Sequence, residues 1–95
     1  MALFKFLERK KTAETPESRR AFLLEHGRIT DGTIIDNEIT PAGEVAIYTY
    51  TLNGVDFESS ELLTDQQLLD PVRYAPGAKV GVRYDPRNQG NSMLE

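Results

Sequence analysis

Few residues of this 95-residue chain have the types and the spacing that catalysis requires. His26 is the single histidine, and as a general base it would need a nucleophile and an orienting acid beside it. It falls at the expected C-terminus of a helix, where the helix dipole alone favours an imidazolium. We therefore interpret His26 as structural, and we predict that the chain is not an enzyme.

Carboxylates cluster around the first predicted strand and the turn that follows it. Such a cluster could hold a hard cation or act as an acid–base pair, but an acidic rim in contact with water is the commoner explanation. A calcium loop beginning at Asp85 is excluded because Arg87 stands where an oxygen ligand is needed. We predict no metal site and no cofactor. The clustered carboxylates are Asp31, Asp36, Glu38 and Glu44.

Four aromatic residues could form a stacking platform for single-stranded nucleic acid. They also share the apolar face from which a core must be built, and we interpret them as core. Charge supports this interpretation: residues 29–95 have four Lys and Arg against eleven Asp and Glu, a formal charge of −7 that disfavours phosphates. No nucleic-acid partner is expected. The aromatic residues are Tyr48, Tyr50, Phe57 and Tyr84.

The remaining composition limits the class of protein. The chain has no cysteine, which excludes a disulfide framework and a thiolate nucleophile or metal site. No run of residues approaches the ~20 apolar residues of a transmembrane helix. The segment Leu3–Leu7 is interrupted by a lysine and is followed by charged residues, unlike a secretory signal. We expect a cytoplasmic protein, with the inner membrane face as an alternative location.

The strand to which the others must pack lies between two clear turns. Pro76-Gly77 begins it, and Asp85-Pro86 ends it because proline lacks the N–H of a strand ladder. Between them Val80, Val82 and Tyr84 alternate with polar residues or glycine, which puts the apolar side chains on one face.

A hairpin is predicted around Asn53-Gly54, the strongest short signal for a two-residue type I′ turn. This turn fixes the register: Leu52 opposite Val55, Tyr50 opposite Phe57, and Tyr48 opposite Ser59. The face that we expect in the core consists of Tyr48, Tyr50, Leu52, Val55 and Phe57.

The other β segments are less regular. A first strand is predicted from about residue 28 to residue 39, with a bulge or bend at Gly32. Residues 87–91 read as a polar turn before a brief last strand, Ser92 to Leu94. Thr64-Asp65 could cap one helical turn in a segment that closes one end of the sheet. We expect its apolar residues to be buried there: Leu62, Leu63, Leu68, Leu69 and Val72.

Residues 1–27 form a separate N-terminal arm. Thr15 is a good N-cap and Pro16 suits the first helical position, so a helix is predicted to His26, with Gly27 ending it in the left-handed conformation. Its apolar residues point in nearly every direction, which suggests contacts on more than one side. Residues 3–11 would be amphipathic if helical, and could lie on their own β domain, on another copy of the chain or on an anionic membrane, or be disordered.

The β segments resemble a bacterial family, Domain of Unknown Function 3592, over about residues 28–95. The resemblance implies a compact and mostly antiparallel barrel or sandwich, and it brings no catalytic residues. Gln89 departs from the pattern, because a proline often occupies that position. The matching motifs are Gly32-Thr33-Ile34-Ile35-Asp36, Tyr48-Thr49-Tyr50-Thr51-Leu52 with Asn53-Gly54, and Pro76-Gly77 with Val80, Val82 and Tyr84-Asp85-Pro86.

Together these patterns predict a mainly β fold: a small five-stranded antiparallel barrel or sandwich at residues 28–95 with the helical arm at residues 1–27. The expected function is a noncatalytic interaction module that self-associates or docks on a protein partner through the arm. The alternatives are a peripheral membrane accessory anchored by residues 1–11 and a small-ligand-binding barrel. The candidate protein-contact residues are Leu3, Phe4, Phe6, Leu7, Phe22, Leu23 and Leu24.

Overall fold

The computed structural model describes residues 15–95 and is mainly β, as predicted. Five antiparallel strands form one sheet. The elements in chain order are α1 (Pro16–His26), β1 (Arg28–Thr40), β2 (Gly43–Leu52), β3 (Val55–Leu62), α2 (Asp65–Leu68), β4 (Lys79–Asp85) and β5 (Asn88–Leu94).

The sheet is nearly closed into a barrel. Its strand order is β3-β2-β1-β4-β5, and the two edge strands, β3 and β5, lie close to each other. α1 packs on β4 and β5 beside this gap. We refer to the gap between β3 and β5 as the seam.

The predicted hairpin is confirmed in type and in register. Asn53 and Gly54 have φ angles of 52° and 79°, the left-handed values that a type I′ turn requires. Leu52 pairs with Val55, and Tyr50 pairs with Phe57. Because the turn has two residues, every later pair of β2 and β3 follows from it, including Tyr48 with Ser59.

The core lies on the predicted face of the hairpin, with one exception. Tyr48 and Tyr50 are buried, whereas Val55 is 53% exposed. Val55 follows the turn on an edge strand, where no further strand among residues 15–95 covers it, so the prediction that it is buried is wrong. The buried core cluster consists of Ile34, Ala46, Tyr48, Tyr50, Leu52, Leu63, Tyr74, Val80, Val82 and Leu94.

The bulge of β1 lies between Ile34 and Asp36, a few residues after the predicted position at Gly32. Gly32 pairs regularly with Tyr50 on one side and Val80 on the other, and the register shifts between Ile34 and Asp36 instead. Glycine is needed at position 32 for space, because a Cβ there would lie 2.5 Å from Cγ2 of Val82. Gly32 therefore reflects the close packing of β1 against β2 and β4, and not the predicted bulge or bend.

α1 begins as predicted and ends differently. Thr15 is the N-cap: its hydroxyl accepts a hydrogen bond from the N–H of Ser18, and the Ser18 hydroxyl accepts one from the N–H of Thr15. Gly27 is extended (φ −79°, ψ 163°), not left-handed, because β1 begins at the next residue. A Cβ on Gly27 would lie 2.5 Å from the carbonyl oxygen of Leu23, so close approach explains this glycine too.

The segment between β3 and β4 contains the predicted helical turn. α2 is capped by Thr64, and Leu63 and Tyr74 on either side of it are buried. Of the five apolar residues that were predicted to be buried here, only Leu63 is. The prediction is wrong for the other four, which are exposed: Leu62, Leu68, Leu69 and Val72.

β4 has the predicted alternation, with Val80 and Val82 buried. β5 is longer than predicted. The turn consists of Pro86 and Arg87, so the strand already begins at Asn88, and residues 89–91 form an irregularity between the pairs Asp85–Asn88 and Tyr84–Ser92. The polar residues that predicted a turn are therefore accommodated in a bulged strand.

Candidate docking groove

A groove of about 530 Å³ runs between α1 and the end of β3. Thr15 lines it, and apolar surface comes from Leu62 on β3, from Leu63 just after it, and from Met93 on β5. Met93 and Leu63 are buried, while Leu62 is 47% exposed. The groove is lined mainly by apolar atoms, so it suits an apolar chain segment better than a charged ligand.

Two consecutive arginines fix α1 over the seam. Arg20 Nη1 donates to Oε2 of Glu61 on β3 at 2.6 Å, and Arg19 Nη2 donates to the carbonyl oxygen of Ser92 on β5 at 2.7 Å. Between these contacts and the end of the helix, Leu23 is fully buried. α1 is therefore attached to both strands of the seam and forms one wall of the groove.

Glu61 joins the two edges of the sheet. Its side chain is 11% exposed, and its Oε1 accepts a hydrogen bond of 2.8 Å from the backbone N–H of Leu94. Burial raises the pKa of the Glu61 carboxyl, against the opposing effects of the Leu94 N–H and of Arg20. Glu61 is not among the residues predicted to be functional, although its spacing marks it: Phe57, Ser59 and Glu61 alternate on one face of β3, so Glu61 continues the inward-facing positions.

Replacing Glu61 with glutamine should change how stability depends on pH. The raised pKa means that the folded state holds this proton more tightly than the unfolded state. The stability that this carboxyl group contributes is therefore fully present below its pKa in the unfolded state, about 4.3. That stability is lost as the pH rises through its pKa in the folded state. We expect the free energy of unfolding of the wild type, minus that of Glu61→Gln, to fall as the pH rises from about 4 toward 7, as measured by urea unfolding.

Glu58→Gln is the matched control, because it removes an exposed carboxylate from the same strand. A wild-type advantage over Glu61→Gln that grows with pH would contradict the prediction. It would mean that the ion pair with Arg20 outweighs the desolvation of the carboxylate.

A second polar pair lies deeper in the barrel. The hydroxyl oxygens of Tyr48 and Ser92 are 2.8 Å apart, and both residues are fully buried. Burial raises the pKa of the Tyr48 hydroxyl, while its hydrogen bonds with Ser92 and Ser59 act in the opposite direction. Tyr48 and Tyr50 therefore belong to the core and are not accessible for stacking on nucleic-acid bases, as the sequence predicted.

His26 and the carboxylates singled out in the sequence lie outside the groove. His26 is exposed, with Nε2 3.6 Å from a carboxylate oxygen of Glu25 and its ring against Phe22. Asp31, Asp36 and Glu38 are also exposed. Across residues 15–95, no three His, Asp or Glu side chains gather in a way that could hold a metal ion.

The predicted contact residues of the arm fall into two groups. Leu3, Phe4, Phe6 and Leu7 lie outside the described residues, as does the rest of the amphipathic segment at residues 3–11. On α1, Leu23 faces the barrel, while Phe22 and Leu24 are 44% and 54% exposed. Neither helix within residues 15–95 is long and apolar enough to cross a membrane.

A smaller polar pocket of about 270 Å³ lies on the other side of Arg20, between α2 and the residue after β5. Gln67 lines it and is buried, and the side-chain Nε2 has no hydrogen-bond partner among the described residues. The same side chain caps its own helical turn, since its Oε1 accepts from the N–H of Thr64 at 2.9 Å. The pocket is thus part of the capping structure of α2.

Comparison with known proteins gives a match to a family model. Neither the search of curated proteins nor the search of solved structures gives a match. A family model described as a domain of unknown function, DUF3592, matches residues 25–95. The matched range contains all five strands and α2 and begins at the end of α1. Since this match covers most of the chain and confirms the resemblance of the strand and turn motifs, the chain belongs to the DUF3592 family.

Proposed function

We propose that the protein is a noncatalytic interaction module that binds another protein, in the first place a second copy of itself, through its N-terminal arm. The observation that carries this proposal is the exposure of Phe22 and Leu24. Successive residues of a helix point about 100° apart, so these two side chains flank Leu23 on opposite sides. Leu23 attaches α1 to the barrel, and the flanking faces remain available to a partner.

The barrel interior supports a binding role rather than a catalytic one. The inward-facing hydroxyls of Tyr48 and Ser92 are bonded to each other, and the carboxylate of Glu61 is bonded to Arg20 and to a backbone N–H. These groups hold elements of the fold together. A catalytic acid or nucleophile would need to be accessible to a substrate.

Light scattering after size-exclusion chromatography tests self-association. The full chain should have a mass larger than that of one chain, and the variant Phe22→Ser with Leu24→Ser should dissociate. Each buried apolar side chain contributes about 1.5–3 kcal/mol. We therefore expect the dissociation constant of this variant to rise by at least about tenfold.

Ile39→Ser with Val55→Ser is the matched control, because these two apolar side chains are also exposed but lie on the barrel. Point variants are preferable to deletion of residues 1–27, since α1 contributes Leu23 and two arginine contacts to the folded structure. A wild-type chain that stays monomeric at every concentration would contradict self-association.

A further inference from the structure

The docking groove presents apolar surface next to charged side chains that already form hydrogen bonds within the protein. Arg19 and Arg20, which line it, are bonded to a carbonyl oxygen and to Glu61. With Glu17 and Glu61 on the same walls, the formal charges of the groove balance. Within residues 15–95, both arginines of the groove thus have hydrogen-bond partners already, whereas an apolar segment could cover the exposed part of Leu62.

The chain itself carries such a segment a few residues before Thr15 in the sequence. Residues 3–7 contain four large apolar side chains and one lysine, and we call them the apolar segment. They are separated by residues 8–14 from Thr15, which lines the groove. Seven residues can span at most about 25 Å when fully extended, and less when the chain turns back. The connection is therefore long enough to return the segment to the groove.

We propose that the groove binds the apolar segment, residues 3–7, of the same chain. A connection of seven residues that can span the two sites gives an effective concentration in the millimolar range, which favours the segment of the same chain over that of a second copy. The inference goes beyond the proposed function, because it concerns the chain with no partner bound. It assigns the groove to the apolar segment and leaves Phe22 and Leu24 of α1 as the surface for a second copy.

A spin label at position 5 tests the proposal directly. The chain has no cysteine, so Lys5→Cys gives a single labelling site in the full-length protein. Paramagnetic broadening should weaken the amide signals of Leu62, Leu63 and Met93 strongly, and those of Asn53 and Gly54 in the distant hairpin turn much less. The broadening should not change on dilution.

A mixed sample distinguishes binding of the apolar segment within one chain from binding between two chains. Spin-labelled protein without ¹⁵N is mixed with ¹⁵N-labelled protein without a spin label, and both carry Phe22→Ser with Leu24→Ser so that association through α1 does not bring a label near the groove of another copy. The groove signals of the ¹⁵N-labelled protein should remain sharp. Broadening in the mixed sample would show that segments are exchanged between copies and would overturn the proposal. In the spin-labelled chain itself, groove amide signals that are no broader than those of the hairpin turn would also overturn the proposal.

Variants on both sides of the contact give a second readout. Phe4→Ser with Phe6→Ser should lower Tm by about 4–8 °C, the shift expected for a modest loss of stability in a chain of this size. Lys10→Ser with Lys11→Ser, outside the apolar segment, should leave Tm unchanged. Leu62→Ser should remove the broadening caused by the label, and Leu69→Ser, an exposed leucine outside the groove, should preserve it. Equal broadening in both leucine variants would contradict the assignment of the groove.

Discussion

Replacing Tyr48 with alanine should lower the free energy of unfolding by about 3–5 kcal/mol, the usual cost of deleting a large aromatic side chain from a core. Tyr48 is fully buried, and its ring lies 6.1 Å from that of Tyr50, centroid to centroid. A domain of this length has a total stability of only about 5–14 kcal/mol. The variant should therefore lose a large part of its total stability, as urea unfolding followed by circular dichroism would show.

Tyr48→Phe distinguishes the contribution of the ring to stability from that of the hydroxyl. It keeps the ring in the core but leaves the Ser92 hydroxyl without its partner, for which we expect a loss of about 1–3 kcal/mol. Tyr48→Phe with Ser92→Ala removes both polar groups and should recover part of that loss. If Tyr48→Phe were as unstable as Tyr48→Ala, the polar pair and not the packing of the ring would determine stability at this position.

Gly32→Val should be the second strongly destabilising substitution, with a loss of about 3 kcal/mol, the upper end of the range for overpacked cores. A Cβ at position 32 would lie 2.5 Å from Cγ2 of Val82 and 2.8 Å from the carbonyl oxygen of Thr49. The first contact involves a stiff β-branched side chain and the second involves backbone. Neither neighbour can move without shifting the strands on both sides of β1.

Gly90→Val is the matched control in β5. A Cβ there would meet no atom within 4 Å, so its effect should stay within about 0.5 kcal/mol. Denaturant unfolding of both variants gives the comparison. Equal losses at the two positions would mean that glycine flexibility, and not the packing between β4 and β2, explains the need for Gly32.

The features predicted correctly from the sequence are those with a local cause. The register of β2 and β3 depends on Asn53-Gly54, which fixes every pair along the hairpin. The start of α1 depends on Thr15 and Ser18, three residues apart. In each case the residues that determine the structure are close in the sequence and form hydrogen bonds whose geometry is known in advance.

The features that were missed depend on residues distant in the sequence. Glu61 bonds to Leu94, 33 positions away, and Tyr48 bonds to Ser92, 44 positions away. Whether Val55 is buried depends on whether a further strand covers its edge of the sheet, which a strand pattern does not show. The groove could not be predicted at all, because it exists only where α1 packs against the seam.

The seam also sets the order in which the chain can become native during synthesis. β1, β2 and β3 are consecutive in the chain and adjacent in the sheet, so this part can form while β5 is still unsynthesised. Until β5 arrives, the edge of β3 is uncovered and the Glu61 carboxylate can keep its water. The cost of burying that carboxylate therefore arises at the moment of closure, when the Leu94 N–H arrives as its new partner. β5 thus brings both the desolvation of Glu61 and the hydrogen bond that offsets it. A nascent chain stopped before β5 has an open edge at β3, and open edge strands pair with other chains.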